Sequence, residues 1–323
     1  MDGAWRTVSL GLKLLVSAAA FWLLARQVDM DALGAVLSTS DWTLFCVGAV
    51  AYVAGQAGSA YRWLVIARRV GFDRRLGQLV RYYFVGMFFN MFGPATVGGD
   101  LVRGLYLAGG EGRRSAALNT VVFDRLVGLV MLVFVLLTAI ASFGTFGLPP
   151  IIAAAAAGGS VAIVAGWWTL PLVVRGLLRP DNPWRRLVEV ELAPLWRDPR
   201  LLAETGSLSV FFHVGQVGSV MLVGAAVGLD VPWPYYFVFH PLVSIFSALP
   251  ISLAGLGIRE MGTVYLLSEV AGVPRDTAVA FSILWLGVLL ISTLAGGLVF
   301  LGSGDPLPAR RLQPSPAQLP PSS

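Results

Sequence analysis

The sequence predicts an all-α polytopic membrane protein with about six spanning helices and two opposed re-entrant helical hairpins, each broken within the membrane. Of the 323 residues, 56% are hydrophobic and only 13% are charged, whereas soluble domains carry roughly 25% charged residues. The mean hydropathy is +0.76. The second observation is that two apolar regions are interrupted by glycine and proline. This composition excludes a soluble globular domain.

The uninterrupted apolar runs account for the spanning helices. Each run has roughly the 20 residues that a helix needs to cross the hydrocarbon core. The two interrupted regions lie at 82–112 and 235–272, and their Gly and Pro residues predict helices that stop inside the membrane. The predicted spanning runs lie at about 8–25, 42–66, 115–143, 150–174, 206–228 and 277–301.

The distribution of arginine predicts the orientation, because cytoplasmic loops are enriched in basic residues. Loops near Asp29, Gly144 and Asp230 contain almost no positive charge. If the basic loops are cytoplasmic, both termini are cytoplasmic and the two interrupted regions enter the membrane from opposite faces. Each region is then either a re-entrant hairpin or two tight crossings. The basic residues that define the cytoplasmic side include Arg68, Arg69, Arg74, Arg75, Arg113, Arg114, Arg175, Arg179, Arg185, Arg186, Arg310 and Arg311.

The two interrupted regions share a pattern. One reads PATVGGDLVRGLYL from Pro94 and the other reads PISLAGLGIREMGTVYLL from Pro250, and in both an arginine follows nine residues after the proline, at Arg103 and Arg259. This agrees with an inverted repeat of the kind found in many transporters. The alternative is that any two Gly- and Pro-rich apolar stretches can be aligned this well.

The predicted organisation is an integral membrane domain at 1–303 followed by a cytoplasmic tail at 304–323. The membrane domain divides into a first half at about 1–174, a cytoplasmic linker at about 175–205 and a second half at about 206–303. The linker is either an interfacial amphipathic helix or a solvated loop. The Pro- and Ser-rich tail is expected to be disordered.

Charged residues in apolar surroundings are the candidates for function. A lone charge at mid-bilayer costs at least about 2.5–3.5 kcal/mol, so these residues need partners. Arg62, by contrast, is expected to extend to the interface. The charged residues comprise three acids and three arginines: Asp100, Arg103, Asp124, Arg125, Arg259 and Glu260.

Two interpretations of these charges stay open. They either form buried ion pairs that hold the two halves together, or the arginines and the N-termini of the half-helices bind a lipid phosphate. In the second case the acids hold the arginines while the site is empty. No catalytic residue, metal site or cofactor is predicted. The candidate substrate-binding residues are Asn90, Gly98, Gly99, Asp100, Arg103, Asp124, Arg125, Gly255, Gly257, Arg259 and Glu260.

Three of these segments resemble a known family. RYYFVGMFFNMFGPATVGGDLVRGLYL, FDRLVGL from Phe123, and LPISLAGLGIREMG from Leu249 are similar to the flippase-like transmembrane domain of lysylphosphatidylglycerol synthases and its free-standing relatives. The resemblance implies re-entrant segments, a bacterial inner (plasma) membrane location and a role in moving modified lipid between leaflets. The synthases carry a C-terminal cytosolic catalytic domain that this sequence lacks, so synthase activity is not expected.

The resemblance and the charges together favour a lipid flippase or transporter that moves a phosphate-bearing or polyprenyl-type lipid. The expected partners are a membrane lipid with an anionic headgroup and a lipid-modifying enzyme or glycosyltransferase, but no nucleic acid. The alternatives are a membrane-embedded transferase, with Asp100 or Glu260 as general base, and an accessory subunit in lipid-linked glycan or envelope-lipid synthesis. A non-enzymatic role is favoured, because the sequence has no nucleotide or metal motif.

Overall fold

The computed structural model describes residues 22, 26, 30–92, 98–109, 112–248 and 252–302. Within these ranges the regular structure is entirely helical, which confirms the predicted all-α class. The predicted span at 8–25 lies outside the described residues except for Trp22. Pro94, Pro250 and the predicted disordered tail lie outside them as well.

The α-helices are numbered along the described chain. Pi-helical turns at Leu187–Leu192 and Leu266–Val270 and a 3-10 turn at Leu253–Gly255 join or extend them. The helices are α1 Met30–Thr39, α2 Trp42–Arg69, α3 Leu76–Phe92, α4 Gly98–Ala108, α5 Arg114–Phe143, α6 Pro150–Leu177, α7 Pro183–Arg186, α8 Ala193–Trp196, α9 Pro199–Ala226, α10 Trp233–Ala248, α11 Ile258–Tyr265 and α12 Arg275–Gly302.

Five of these helices, α2, α5, α6, α9 and α12, are apolar and 28 to 30 residues long. At 1.5 Å per residue each is about 42–45 Å long, more than the hydrocarbon thickness of about 30 Å. Side chains fix where two of them begin, since the carboxylates of Asp41 and Asp198 accept backbone N–H groups in the first turns of α2 and α9. The chain is therefore a multi-pass membrane protein, as predicted.

The first interrupted region forms a hairpin of α3 and α4. Arg74, just before α3, donates a hydrogen bond of 3.2 Å from Nη2 to the carbonyl of Leu107 at the end of α4. The hairpin therefore begins and ends at the same end of the bundle. At 11 residues, α4 is about 16 Å long, too short to cross the membrane. The arrangement is re-entrant.

The second interrupted region forms a similar hairpin of α10 and α11. The Tyr235 hydroxyl near the start of α10 donates to the carbonyl of Leu266, just after α11, at 2.6 Å. The rings of Phe143 and Trp233, 5.2 Å apart, place the start of α10 beside the C-terminal end of α5. The N-terminal end of α5 adjoins the first hairpin, so the two hairpins enter from opposite ends, as predicted.

The two halves are related by an approximate two-fold symmetry. Exchanging α2 with α9, α3 with α10, α4 with α11 and α5 with α12 turns each contacting pair of these helices into another contacting pair. For example, α3 packs on α12 as α10 packs on α5. The central pair, α2 and α9, is antiparallel: Arg69 pairs with Asp198 at one end, and the Asp41 N–H donates to the Ala226 carbonyl at the other, at 2.8 Å. The symmetry axis is thus perpendicular to these helices, which is the geometry of an inverted repeat.

Small residues allow the helices of the two halves to approach closely. A Cβ atom at Gly296 on α12 would lie 2.0 Å from the carbonyl oxygen of Phe84 on α3, and one at Gly48 on α2 would lie 3.2 Å from that of Ser219 on α9. Membrane helices commonly pack through such glycines, because lipid provides no hydrophobic force between helices. The first contact packs the first hairpin against the second half, and the second packs the central helices α2 and α9 together.

The linker between the halves is helical and packed against the bundle rather than a solvated loop. The indole ring of Trp196 stacks on that of Trp167 at 4.2 Å. The carboxylate of Glu191 accepts hydrogen bonds from the Ser115 hydroxyl and the Asn119 amide, and these bonds, the Ser115 bond foremost, lower the pKa of Glu191. Trp184, at the start of the linker, is exposed.

Candidate functional site

Asp124, in the N-terminal half of α5, is the centre of a buried cluster of charges. Its side chain lies beneath the surface, and the residue is 1% exposed. Oδ1 accepts a hydrogen bond of 2.9 Å from Arg62 Nε, and Oδ2 accepts bonds of 3.1 Å from both terminal nitrogens of Arg103. Because a buried carboxylate is stable only when paired and hydrogen-bonded, these two arginines compensate for the burial of Asp124 inside the bundle.

Arg103, on α4, is also fully engaged. Its Nε donates to Asp100 Oδ1 at 3.1 Å, while its other two nitrogens bind Asp124. The guanidinium carbon lies 4.9 Å from the ring centroid of Trp63 and 5.0 Å from that of Tyr83, which adds cation–π attraction. With 3% of its surface exposed, Arg103 binds two acids and two aromatic rings.

Arg125 forms the accessible end of this cluster. Its Nε and Nη2 lie 3.2 and 3.0 Å from Asp100 Oδ1, and Nη2 lies 3.0 Å from Oδ2 as well. The Arg125 side chain is 59% exposed. We call the connected chain of Arg62, Asp124, Arg103, Asp100 and Arg125 the charge network. Its three arginines and two aspartates give it a formal charge of +1.

The positions of these residues follow from helix geometry. Asp124 and Arg125 are adjacent on α5 and point about 100° apart, so they have different partners, as predicted. Arg125 lies about 16 Å along α5 from Arg114, which is well within a membrane. Asp100 and Arg103 are one turn apart on α4 and share a face. One short half-helix therefore joins both ends of the charge network.

Asn90 and Gly99 position this half-helix. The Gly99 N–H donates to Asn90 Oδ1 at 3.0 Å, and a Cβ atom at Gly99 would lie 1.7 Å from the Gly86 carbonyl oxygen on α3. A Cβ atom at the neighbouring Gly98 would lie at an ordinary 3.6 Å from its nearest atom. Asn90 thus caps one N–H group in the first turn of α4, and anion binding at this N-terminus stays a prediction.

The second hairpin differs from the first in its charge pairing. Gly255 and Gly257 have φ values of 78° and 84°, and Ala254 has the unusual value of 51°, which favours glycine. Arg259 Nη2 donates to the Ala254 carbonyl at 2.8 Å, and Glu260 Oε2 accepts the Gly257 N–H at 2.5 Å. Glu260 therefore caps the N-terminus of α11, as Asn90 caps that of α4.

The second hairpin does not contribute to the charge network. Among the described residues, neither Arg259 nor Glu260 forms an ion pair with an oppositely charged side chain. The expected balance of six charges is therefore only partly realised, because four of them pair with one another and with Arg62. The two hairpins nevertheless meet, since α3 contacts the 3-10 turn at Leu253–Gly255.

Sequence reasoning missed Arg62, which does not extend to the interface. It is buried, and its Nη1 donates to the Ser209 hydroxyl on α9 at 2.8 Å, while Nη2 donates to the Asp124 carbonyl at 3.3 Å. Gly128 on α5 leaves room for the guanidinium, since a Cβ atom there would lie 3.3 Å from Arg62 Nη1. Arg62 thus joins α2, α5 and α9. The sequence signal for this contact was that another predicted span carries both Asp124, which can pair with an arginine, and Gly128, which leaves space for one.

The described part of the chain offers no group of three or more His, Cys, Asp and Glu side chains that could hold a metal ion. The polar groups that the charge network presents are guanidiniums and carboxylates. A planar guanidinium presents two parallel N–H groups to carboxylate or phosphate oxygens. Arg125 uses this geometry on Asp100 and could present it to a phosphate.

Comparison with known proteins adds a family to this geometry. No curated protein matches the chain. The family model described as the lysylphosphatidylglycerol synthase TM region matches residues 11–297, which covers the spanning helices and both hairpins. By this match and its polytopic helical fold, the chain belongs to the family of the lysylphosphatidylglycerol synthase TM region.

Proposed function

We propose that this protein moves a lipid with a phosphate-bearing headgroup between the leaflets of a membrane. The observation that carries the proposal is the charge network, in which three arginines exceed two aspartates and the outermost arginine, Arg125, is accessible. A net positive charge at membrane depth is costly and is commonly functional. One bound phosphodiester would neutralise it.

The pairing within the network supports a stepwise binding reaction. Arg125 and Asp100 form the pair nearest the surface, so a headgroup phosphate can approach Arg125 and replace Asp100 as its partner. Asp100 then stays bound to Arg103, which already donates to it at 3.1 Å. No buried charge is left without a partner, because Asp124 keeps Arg62 and Arg103.

The inverted repeat supports transport rather than binding alone. Repeats of opposite orientation allow one half to move against the other, so that a central site opens to each face in turn. The two hairpins enter from opposite ends and meet at the 3-10 turn. This contact can couple a movement of one half to the other. The acyl or polyprenyl tails would stay in the bilayer while the headgroup follows the polar interior. In this proposal the protein lies in the inner membrane of a bacterium with both termini in the cytoplasm.

The proposal predicts a large effect of Arg125→Gln. We expect lipid translocation to slow about tenfold or more, because a charge-assisted hydrogen bond to phosphate is lost. The assay uses purified protein in vesicles that contain phosphatidylglycerol with a fluorescent tail. A membrane-impermeant reductant added outside bleaches only the outer leaflet, so continued bleaching reports translocation.

Arg68→Gln is the matched control, because Arg68 is exposed at the end of α2 and outside the charge network. It should translocate at the wild-type rate. Equal rates for Arg125→Gln and Arg68→Gln would remove Arg125 from the headgroup site.

A further inference from the structure

The second hairpin contains three buried polar atoms without a hydrogen-bond partner in the described part of the chain. These atoms are Ser252 Oγ, Arg259 Nη1 and Glu260 Oε1. Ser252 is 1% exposed and Glu260 is 4% exposed. Buried polar atoms are nearly always hydrogen-bonded, and each exception needs an explanation. Three such atoms within nine residues leave hydrogen-bonding capacity that is available to a bound ligand.

The first hairpin shows what is missing from the second. Arg103 binds Asp124, which lies 21 residues further along the chain. In the second half, the residue 21 positions after Arg259 is Ala280, so the carboxylate has no counterpart there. The second half therefore repeats the arginine of the sequence pattern but has no acid at the same sequence separation.

The charge of the second hairpin restricts the ligand. Arg259 and Glu260 cancel, whereas the charge network carries +1. A phosphate at the second hairpin would be placed beside the Glu260 carboxylate, and an ammonium group beside the Arg259 guanidinium. Hydroxyl groups meet neither repulsion, because each can both donate and accept a hydrogen bond. They can accept from Arg259 Nη1, donate to Glu260 Oε1 and do either with Ser252 Oγ.

We infer that the second hairpin binds the uncharged, hydroxyl-rich part of a polyol headgroup, while the charge network binds its phosphate. This inference rests on the proposed function and names its substrate class as a phospholipid with a polyol headgroup. The backbone supports a binding role as well, since Ala254 is held at φ 51° and ψ 25°, a region that costs a non-glycine residue energy and is found disproportionately at functional sites. The strained residue directs its carbonyl at Arg259.

The test compares four lipids in the vesicle assay. Phosphatidic acid carries the phosphate alone, phosphatidylglycerol and phosphatidylinositol add a polyol, and phosphatidylethanolamine adds an ammonium group. We expect wild-type protein to translocate at least one polyol lipid about tenfold faster than phosphatidic acid, because a site built to hydrogen-bond hydroxyls disfavours a ligand without them. The faster polyol lipid identifies a glycerol or a ring headgroup.

Glu260→Gln should reduce the ratio of the polyol rate to the phosphatidic acid rate about tenfold, since a neutral amide replaces the carboxylate acceptor. Ser252→Ala, a milder change, should reduce the same ratio and serves if Glu260→Gln does not fold. The control is Glu269→Gln, an acid on the same hairpin that is more than half exposed, which should leave the ratio unchanged.

The outcomes separate this inference from the proposed function. Equal wild-type rates for polyol lipids and phosphatidic acid would overturn the polyol site and leave phosphate-lipid transport standing. Fastest transport of phosphatidylethanolamine would overturn it in favour of a zwitterionic headgroup. Failure to move any of the four lipids would overturn the proposed function and this inference with it.

Discussion

Asp124→Asn is expected to lower the free energy of unfolding by about 3–5 kcal/mol, the usual cost of removing one partner from a buried ion pair. Asp124 accepts one hydrogen bond from Arg62 and two from Arg103. Its replacement leaves the guanidinium groups of Arg62 and Arg103 buried in the bundle without this partner. The one remaining carboxylate of the charge network, Asp100, would then face all three arginines. The cost therefore arises from the charges left behind.

Thermal and denaturant unfolding of purified protein in detergent measures this effect. Asp100→Asn is the comparison, and it should cost less, because Arg103 keeps its two bonds to Asp124 and the arginine released, Arg125, is already 59% exposed. The double variant Arg62→Gln/Asp124→Asn removes one charge of each sign, so it should recover part of the lost stability.

The same variants separate a structural role from a functional one. If the charge network only holds helices together, the double variant should transport lipid as well as wild type once its stability is restored. If the double variant is stable but slow, the network acts on the substrate. An Asp124→Asn protein as stable as wild type would contradict the pairing described for the network.

Among substitutions that add one methyl group to the first hairpin, Gly99→Ala is expected to lower the unfolding free energy most. The added Cβ atom would lie 1.7 Å from the Gly86 carbonyl oxygen and 2.7 Å from the Asn90 backbone nitrogen. Both are main-chain atoms, so a side-chain rotation cannot relieve the overlap and α4 must move away from α3. We expect a loss of about 2–3 kcal/mol or more in unfolding free energy.

The effect should extend to transport, because α4 also places Asp100 and Arg103. Gly98→Ala is the control at the neighbouring position, where the new atom would meet only an ordinary contact of 3.6 Å. It should unfold and transport lipid like the wild type. If both variants behave alike, α3 and α4 are not packed as closely as described.

The fold was largely predictable because the lipid hydrocarbon core restricts which backbone structures can cross it. Apolar length indicates spans, arginine indicates one face, and Gly and Pro mark the places where helices break. From these signals the sequence predicts opposed hairpins, and the structure has them. The exact start of α4, at Gly98, was less predictable. The reason is that glycine disfavours helices locally, while the packing of Gly99 against α3 requires it.

The site was predictable as a set of residues and only partly as a set of contacts. Asp100, Arg103, Asp124 and Arg125 stand out because charge is costly in lipid. Arg62 was missed because it lies close enough to the end of α2 to reach the interface, and only tertiary packing shows that it turns inward to Asp124. The unequal pairing of the hairpins was equally hidden, since it depends on which helix lies beside each arginine.

The most direct test of the central claim, that the charge network carries lipid phosphate across the membrane, is translocation by purified wild-type protein in vesicles. One vesicle sample contains tail-labelled phosphatidylglycerol and another contains tail-labelled glucosyl diacylglycerol, which has a polyol but no phosphate. We predict that added reductant bleaches phosphatidylglycerol in both leaflets of protein-containing vesicles, but glucosyl diacylglycerol only in the outer one, as in empty vesicles. Protein that leaves phosphatidylglycerol bleaching at the level of empty vesicles, or accelerates both lipids equally, would contradict the claim.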